Sequence, residues 1–140
     1  MLKATNINHY VAEEIEELPS DTVLISINEE DEPAWNLKID RNSNKLLTVK
    51  FSDITAKQTI HGRTYSPISQ ETALKILNFI NLNKDKNIII NCTAGISRSG
   101  AVALYLHLFH GYELKPNFWK LSMPNKYVLG ALILARFQDK

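Results

Sequence analysis

The chain has 140 residues, of which 44% are hydrophobic and 22% are charged, and its formal net charge is +1. These values are typical of one soluble domain with a single hydrophobic core, so we expect one domain over residues 1–140. The small net charge excludes classes that need a strong excess of one sign, such as basic nucleic-acid binders and proteins with polyanionic tails.

Membrane insertion and secretion have no signal in this sequence. No apolar run reaches the roughly 20 residues that a membrane helix requires, and the first residues lack the apolar segment of a signal peptide. We therefore expect a cytoplasmic protein that has no membrane or nucleic-acid partner and is a monomer.

The first forty residues predict one helix and two strands. An acidic segment around residues 13–18 favours a short surface helix that ends at Pro19. The β-branched and apolar residues of 21–28 predict the first core strand. Residues 34–40 suggest a short strand, which is followed by a turn.

The middle of the chain predicts a strand, a loop and a helix. Residues 45–54 predict a second core strand, which ends near Asp53. Residues 55–68 contain glycine and proline and are interpreted as a loop. Ser69 is a suitable N-cap for a helix over residues 70–82, whose apolar side chains form one stripe.

The last third predicts a buried strand and two helices. The run "KNIIIN" (residues 86–91) is continuously apolar at its centre, as expected of a strand buried on both faces. A helical pattern follows over residues 99–110, with Gly111 placed to end it. Residues 126–137 predict a third helix, capped by Asn125. This order of strands and helices indicates an α/β layer structure.

Cys92, the only cysteine of the chain, ends the predicted buried strand, and Arg98 precedes the next helix. A short loop in that position directs unpaired N–H groups and the positive end of a helix dipole towards one hollow, which favours oxyanions. Gly95 tolerates a positive φ, and Arg98 offers two parallel N–H donors to a phosphate. The alternative is a buried, inert cysteine beside a surface arginine.

The same surroundings favour thiol chemistry. A cysteine has an ordinary pKa of about 8.5, and helix N-termini and nearby cations lower the pKa of such a thiol, leaving a nucleophilic thiolate at neutral pH. Ser99 is placed to donate its hydroxyl to that thiolate. A single cysteine cannot form an intramolecular disulfide, and the sequence lacks the set of thiolates or spaced histidines of a structural zinc site.

The segment from Cys92 to Arg98, followed by Ser99, resembles the C-x5-R-S/T phosphate-binding loop of the cysteine-dependent protein tyrosine phosphatases. The sequence "AGISRS" (residues 94–99) most closely resembles the loop of the small dual-specificity group. The resemblance implies an α/β fold with a central mixed, mostly parallel sheet flanked by helices. It implies that Cys92 attacks phosphorus to give a cysteinyl-phosphate, without a metal or other cofactor, on a phosphorylated protein or peptide. The phosphoryl oxygens would be held by Arg98 and by the loop residues Thr93, Ala94, Gly95, Ile96 and Ser97.

One position departs from the resemblance. The family usually has a histidine before the cysteine, whereas this chain has Asn91, which can form hydrogen bonds but cannot carry a positive charge. We therefore expect an intact loop with either a less acidic thiol or a slower turnover. A catalytically weak or inactive phosphotyrosine-binding module is the alternative. Arsenate reduction ranks last because it normally requires further thiols.

Hydrolysis through this route also needs a general acid, which protonates the leaving oxygen and later activates water. Asp53 follows a predicted strand and lies upstream of Cys92, with one helix and one strand between them, as the resemblance implies for the acid. An ordinary turn or cap aspartate is the alternative. Asp40, in a predicted turn, is the reserve candidate, and Asp85 precedes the Cys92 strand at its opposite end.

Two further groups of side chains have competing interpretations. His107 and His110 lie on one predicted helix, but no third metal ligand has matching spacing, so we interpret them as surface histidines. His61, Arg63 and Tyr65 lie in the loop after Asp53, where they would either touch a substrate or simply be exposed.

Overall fold

The computed structural model describes residues 1–138. Its elements are, in chain order, β1 (Lys3–Asn8), α1 (His9–Glu14), β2 (Thr22–Asn28), β3 (Leu46–Lys50), β4 (Gln58–Ile60), β5 (Arg63–Tyr65), α2 (Gln70–Leu82), β6 (Asn87–Cys92), α3 (Arg98–His110), β7 (Glu113–Leu114), α4 (Phe118–Leu121) and α5 (Lys126–Gln138).

Five strands form one sheet in the order β3-β2-β6-β1-β7, and every neighbouring pair is parallel. The strand that ends at Cys92 is therefore the middle strand. The predicted α/β class with a central, mostly parallel sheet flanked by helices is confirmed. A separate antiparallel pair, β4 and β5, lies outside this sheet.

The central sheet is covered on both faces. Helices α2 and α3 pack on one face, and α5 packs against both helices. Ile88, Ile90 and Cys92 belong to the main core on that side, whereas Ile89 packs against a smaller apolar cluster on the other face. Burial on both faces explains why β2 and β6 are almost continuously apolar instead of alternating. None of the helices in residues 1–138 has the length and apolar character needed to cross a membrane.

Several predicted elements are confirmed, together with the residues that bound them. The Ser69 side chain accepts a hydrogen bond from the Thr72 N–H (3.1 Å) and so caps α2. Gly111 ends α3 in the left-handed conformation (φ 71°). The Asn125 side chain accepts from two N–H groups of the first turn of α5.

Other predictions for the first half are wrong. The first helix covers His9–Glu14, not residues 13–18, because the Asn8 side chain caps it by accepting from the Val11 N–H (2.9 Å). No strand forms at 34–40, where the Trp35 N–H instead donates to the Asn28 side chain (2.7 Å). The strand predicted over 45–54 ends at Lys50.

The structure also contains elements that the sequence pattern did not indicate. The predicted loop over 55–68 includes the hairpin β4–β5, whose turn at His61 and Gly62 has positive φ at both residues (51° and 78°). The inner strand β1 and the short elements β7 and α4 were not predicted. β1 lacks the apolar pattern of a buried strand because asparagine occupies position 6, which is buried, and position 8.

Candidate active site

The candidate site lies at the carboxyl edge of the parallel sheet. Parallel strands bring their carboxyl ends to one edge, so Cys92 at the end of β6 is joined there by the residues that end or follow β1, β2 and β3. These include Asn8, Glu29 and the segment from Phe51 to Asp53. Residues that are far apart in sequence are therefore neighbours around one loop.

Residues 93–97 form the loop between β6 and α3, and its carbonyl groups are held from outside. Four of these carbonyl oxygens accept hydrogen bonds: Thr93 from His9 N (3.3 Å), Gly95 from Asn6 Nδ2 (2.8 Å), Ile96 from Met123 N (3.3 Å) and Ser97 from Asn125 N (3.0 Å). Within residues 1–138, no hydrogen bond uses the N–H groups of residues 94–98. The loop therefore keeps a run of unpaired donors next to the first turn of α3, as an anion-binding loop requires.

Gly95 is required by the way the loop packs on β1. Its φ is +73°, and a Cβ atom at this position would lie 2.4 Å from Asn8 N and from Ile7 C. Both atoms belong to the backbone and cannot rotate away. Only glycine combines this conformation with this close approach.

We expect Gly95→Ala to destabilise the protein and to disrupt the loop. The positive φ alone costs about 1–3 kcal/mol, and the backbone clash adds to this cost. Urea unfolding should show a lower midpoint than wild type. Gly62→Ala is the matched control, since Gly62 has φ +78° but open space around it. Equal losses in the two variants would contradict the packing argument.

The Cys92 sulfur is buried and lies next to Ser99. Its Sγ is 3.1 Å from Ser99 Oγ, and the residue is 2% exposed. Ser99 lies in the first turn of α3, so the predicted pair is brought together by the short loop. A hydroxyl in this position can donate a hydrogen bond to a thiolate.

Arg98 is buried, and its guanidinium is held from several directions. Nη1 donates to the Phe51 carbonyl (2.7 Å), and Nη2 donates to Glu29 Oε2 (2.6 Å) and to Thr93 Oγ1 (3.0 Å). Its Nε is buried and has no hydrogen-bond partner among the described residues. The arginine is therefore fixed in orientation and keeps one unpaired buried donor.

Glu29 is a site residue that the sequence analysis did not single out. Its carboxylate accepts from Arg98 and from the Thr93 hydroxyl, so it joins both ends of the loop. A signal was present, because the residue after a buried parallel strand lies at the same edge as Cys92. The sequence analysis assigned no site role to the acidic run of residues 29–32.

Asp53 lies beside the loop and is exposed. Its Oδ1 accepts from Ser97 Oγ (2.8 Å) and from Asn125 Nδ2 (2.9 Å). Asn125 therefore has a second contact besides its cap, and this contact was not predicted. The reserve candidate Asp40 accepts from the Asn42 N–H in its own turn, and Asp85 pairs with Lys86 before β6.

Residues 52–66 form the segment that carries Asp53, and this segment is closed at its base. Ser52 N donates to the Ser66 carbonyl (3.0 Å), and Glu30 accepts from both Ser52 Oγ (2.7 Å) and Ser66 N (2.9 Å). Within this segment, the Arg63 and Tyr65 side chains donate to Asp31. Their polar groups therefore hold the hairpin against the acidic run after β2.

Asn91, the residue before Cys92, is fully buried on the opposite sheet face from Cys92. Neither its amide nitrogen nor its amide oxygen has a hydrogen-bond partner within residues 1–138, so it does not hold the loop. Asn6 of the adjacent strand does so, because its Nδ2 donates to the Gly95 carbonyl and to Ser122 Oγ. This role of Asn6 was not predicted.

The two histidines of α3 have different surroundings. His107 Nδ1 donates to the Tyr112 carbonyl (2.8 Å). Burial lowers the pKa of His110, with smaller contributions from Arg136 and Lys84. Among residues 1–138, no three His, Cys, Asp or Glu side chains are grouped closely enough to hold a metal ion.

Comparison with known proteins gives a likeness among solved structures. No protein-family model matches the chain, and no curated protein matches it. Among solved structures, the chain is similar to the crystal structure of Tk-PTP in the active form, a protein tyrosine phosphatase, with a TM-score of 0.50 and 18% sequence identity. The match covers 94% of this chain and 88% of that one. At this identity the likeness concerns the fold, and the chain therefore has a protein tyrosine phosphatase-like fold.

Proposed function

We propose that this protein is a cysteine-dependent phosphatase that hydrolyses phosphate monoesters of protein tyrosine, or of tyrosine and serine or threonine, through a cysteinyl-phosphate. The observation that carries the proposal is the loop itself. Four of its carbonyl groups are bonded outward, the N–H groups of residues 94–98 have no partner within residues 1–138, and Cys92 and Arg98 lie at its two ends.

Binding of the substrate dianion uses donors that are already in place. The N–H groups of the loop and of the first turn of α3 donate to the phosphoryl oxygens, and the unpaired Arg98 Nε supplies a charge-assisted hydrogen bond. Glu29 and the Phe51 carbonyl hold the guanidinium before the substrate arrives. Little reorganisation is then needed as charge develops in the transition state.

The first chemical step transfers the phosphoryl group to sulfur. Cys92 Sγ forms a bond to phosphorus as the bond from phosphorus to the leaving oxygen breaks, and Asp53 gives its proton to that oxygen. In the second step, water attacks phosphorus, Asp53 takes a proton from the water, and the sulfur–phosphorus bond breaks. Ser99 donates a hydrogen bond to the departing thiolate.

The alternative, a binding module that recognises phosphotyrosine without hydrolysing it, is motivated by Asn91. Hydrolysis of p-nitrophenyl phosphate by the wild-type protein separates the two, and a panel of phosphotyrosine, phosphoserine and phosphothreonine peptides then defines the substrate class. Alkylation by iodoacetamide at pH 6–7, blocked by phosphate or vanadate, is expected for the enzyme. An unreactive thiol together with no turnover would contradict the enzyme and favour the binding module.

We expect Asp53→Asn to lower kcat by about 10²- to 10⁴-fold while KM changes little, because the amide keeps an acceptor for Ser97 but cannot donate the catalytic proton. The loss should be smaller for esters with better leaving groups, which need less protonation. Asp40→Asn is the matched control and should leave kcat unchanged. An undiminished kcat in Asp53→Asn would remove this residue from the mechanism.

A further inference from the structure

A cavity of about 350 Å³ lies beside the loop, on the side of β1. Its wall is formed by the end of β1, by loop residues 94–96 and by the side chains of Val11, Lys115 and Leu121. β1 and β3 lie on opposite sides of β6 in the sheet. The cavity and Asp53, which follows β3, therefore approach the loop from opposite sides.

Three aliphatic side chains surround this cavity and remain exposed to solvent. Val11, Ile96 and Leu121 come from three separate elements, with exposed fractions of 49%, 39% and 59%. Apolar side chains that converge on one cavity are typical of a binding surface, whereas single exposed ones are ordinary. Because Ile96 belongs to the loop, the surface is continuous with the candidate phosphate site.

Lys115 gives the cavity its charge. Its Nζ donates to the Asn6 carbonyl (2.8 Å), and no ion pair within residues 1–138 uses it. Burial lowers the pKa of Lys115, with a smaller opposing effect of Cys92. Among the described residues, the wall holds no other charged side chain. A half-buried cation that lacks a carboxylate partner is complementary to an acidic group.

We propose that this cavity binds the substrate segment next to the phosphorylated residue, with an aliphatic side chain against Val11, Ile96 and Leu121 and an acidic side chain at Lys115. The inference rests on the proposed function, since it places the phosphorylated residue in the adjacent loop. The occupant is thus a phosphopeptide with acidic and aliphatic residues on one flank of the phosphorylated residue.

The test compares kcat/KM for p-nitrophenyl phosphate with kcat/KM for two phosphotyrosine peptides, one with Glu and Leu on one flank and one with Lys and Ser there. Wild type should prefer the Glu-Leu peptide. Leu121→Ser should lower this preference about 3- to 10-fold without changing p-nitrophenyl phosphate hydrolysis, and Lys115→Glu should shift the preference towards the Lys-Ser peptide. Leu108→Ser, which removes an equally exposed leucine from α3, is the matched control and should change nothing.

The outcomes distinguish this inference from the proposed function. An inactive wild type would contradict the proposed function, and the flank preference would then be measured as binding of the same two peptides. Peptide preferences that stay the same in Leu121→Ser and Lys115→Glu would overturn the inference. A second combination of results would also overturn the inference. If wild type showed no peptide preference but bound anionic vesicles, and both substitutions abolished that binding, the cavity would be assigned to a lipid surface.

Discussion

Cys92→Ser is expected to abolish hydrolysis of p-nitrophenyl phosphate, lowering kcat by at least about 10⁴-fold. A serine hydroxyl at this position remains protonated at neutral pH, and it lacks the nucleophilicity of a thiolate. Binding of inorganic phosphate should survive, because the loop N–H groups and Arg98 are unchanged. Steady-state kinetics and calorimetric titration with phosphate measure the two effects separately.

Correct folding is the necessary control for this variant. Serine replaces a buried sulfur next to Ser99 Oγ, so the unfolding temperature should be compared with that of wild type. A folded Cys92→Ser protein that still hydrolyses the substrate would refute the cysteinyl-phosphate mechanism. Loss of both phosphate binding and turnover in a folded variant would show that the sulfur shapes the loop instead of acting only as the nucleophile.

Arg98→Lys is also expected to have a large effect, a loss of about 10³-fold in kcat/KM. Lysine keeps the positive charge but lacks the planar fork that bonds Phe51, Glu29 and Thr93 while leaving Nε available. Both phosphate affinity and kcat should fall, since the guanidinium is proposed to bind the ground state and to stabilise the transition state. Phosphate titration and kcat/KM together measure the change.

The same substitution elsewhere provides the control for Arg98→Lys. Arg136 lies on α5 over the Phe109 ring, away from the loop, so Arg136→Lys should leave kcat/KM within about twofold of wild type. A similar result for Arg98→Lys would mean that charge alone suffices at this position, which contradicts the role proposed for the fixed fork.

Elements with a strong apolar period or a clear cap were the ones that the sequence predicted well. β2, β6, α2, α3 and α5 fall in this group, because their local pattern agrees with their tertiary surroundings. β1 was missed, although it pairs with the middle strand of the sheet. Its Asn6 holds the Gly95 carbonyl and its Asn8 caps α1, so the residues that broke the strand pattern are ones with a role in the structure.

Position in the sequence does not predict which polar side chains meet at the site. The acidic segment around 29–32 has the composition of a solvated loop, yet Glu29 binds Arg98, and Glu30 closes the segment that carries Asp53. Asn91 was interpreted from the family resemblance alone. Only the structure shows that its side chain is buried without a partner among residues 1–138, while Asn6 holds the loop. These contacts depend on strand order, which no local pattern encodes.

By itself, the sequence determined the α/β class and the candidate loop from Cys92 to Ser99, because a short loop between a strand and a helix brings its own residues together. The tertiary structure alone decided that Glu29, Asn6 and Lys115 also lie around that loop. A parallel sheet gathers the carboxyl ends of its strands at one edge whatever their separation in the chain, and the order β3-β2-β6-β1-β7 sets which ends become neighbours.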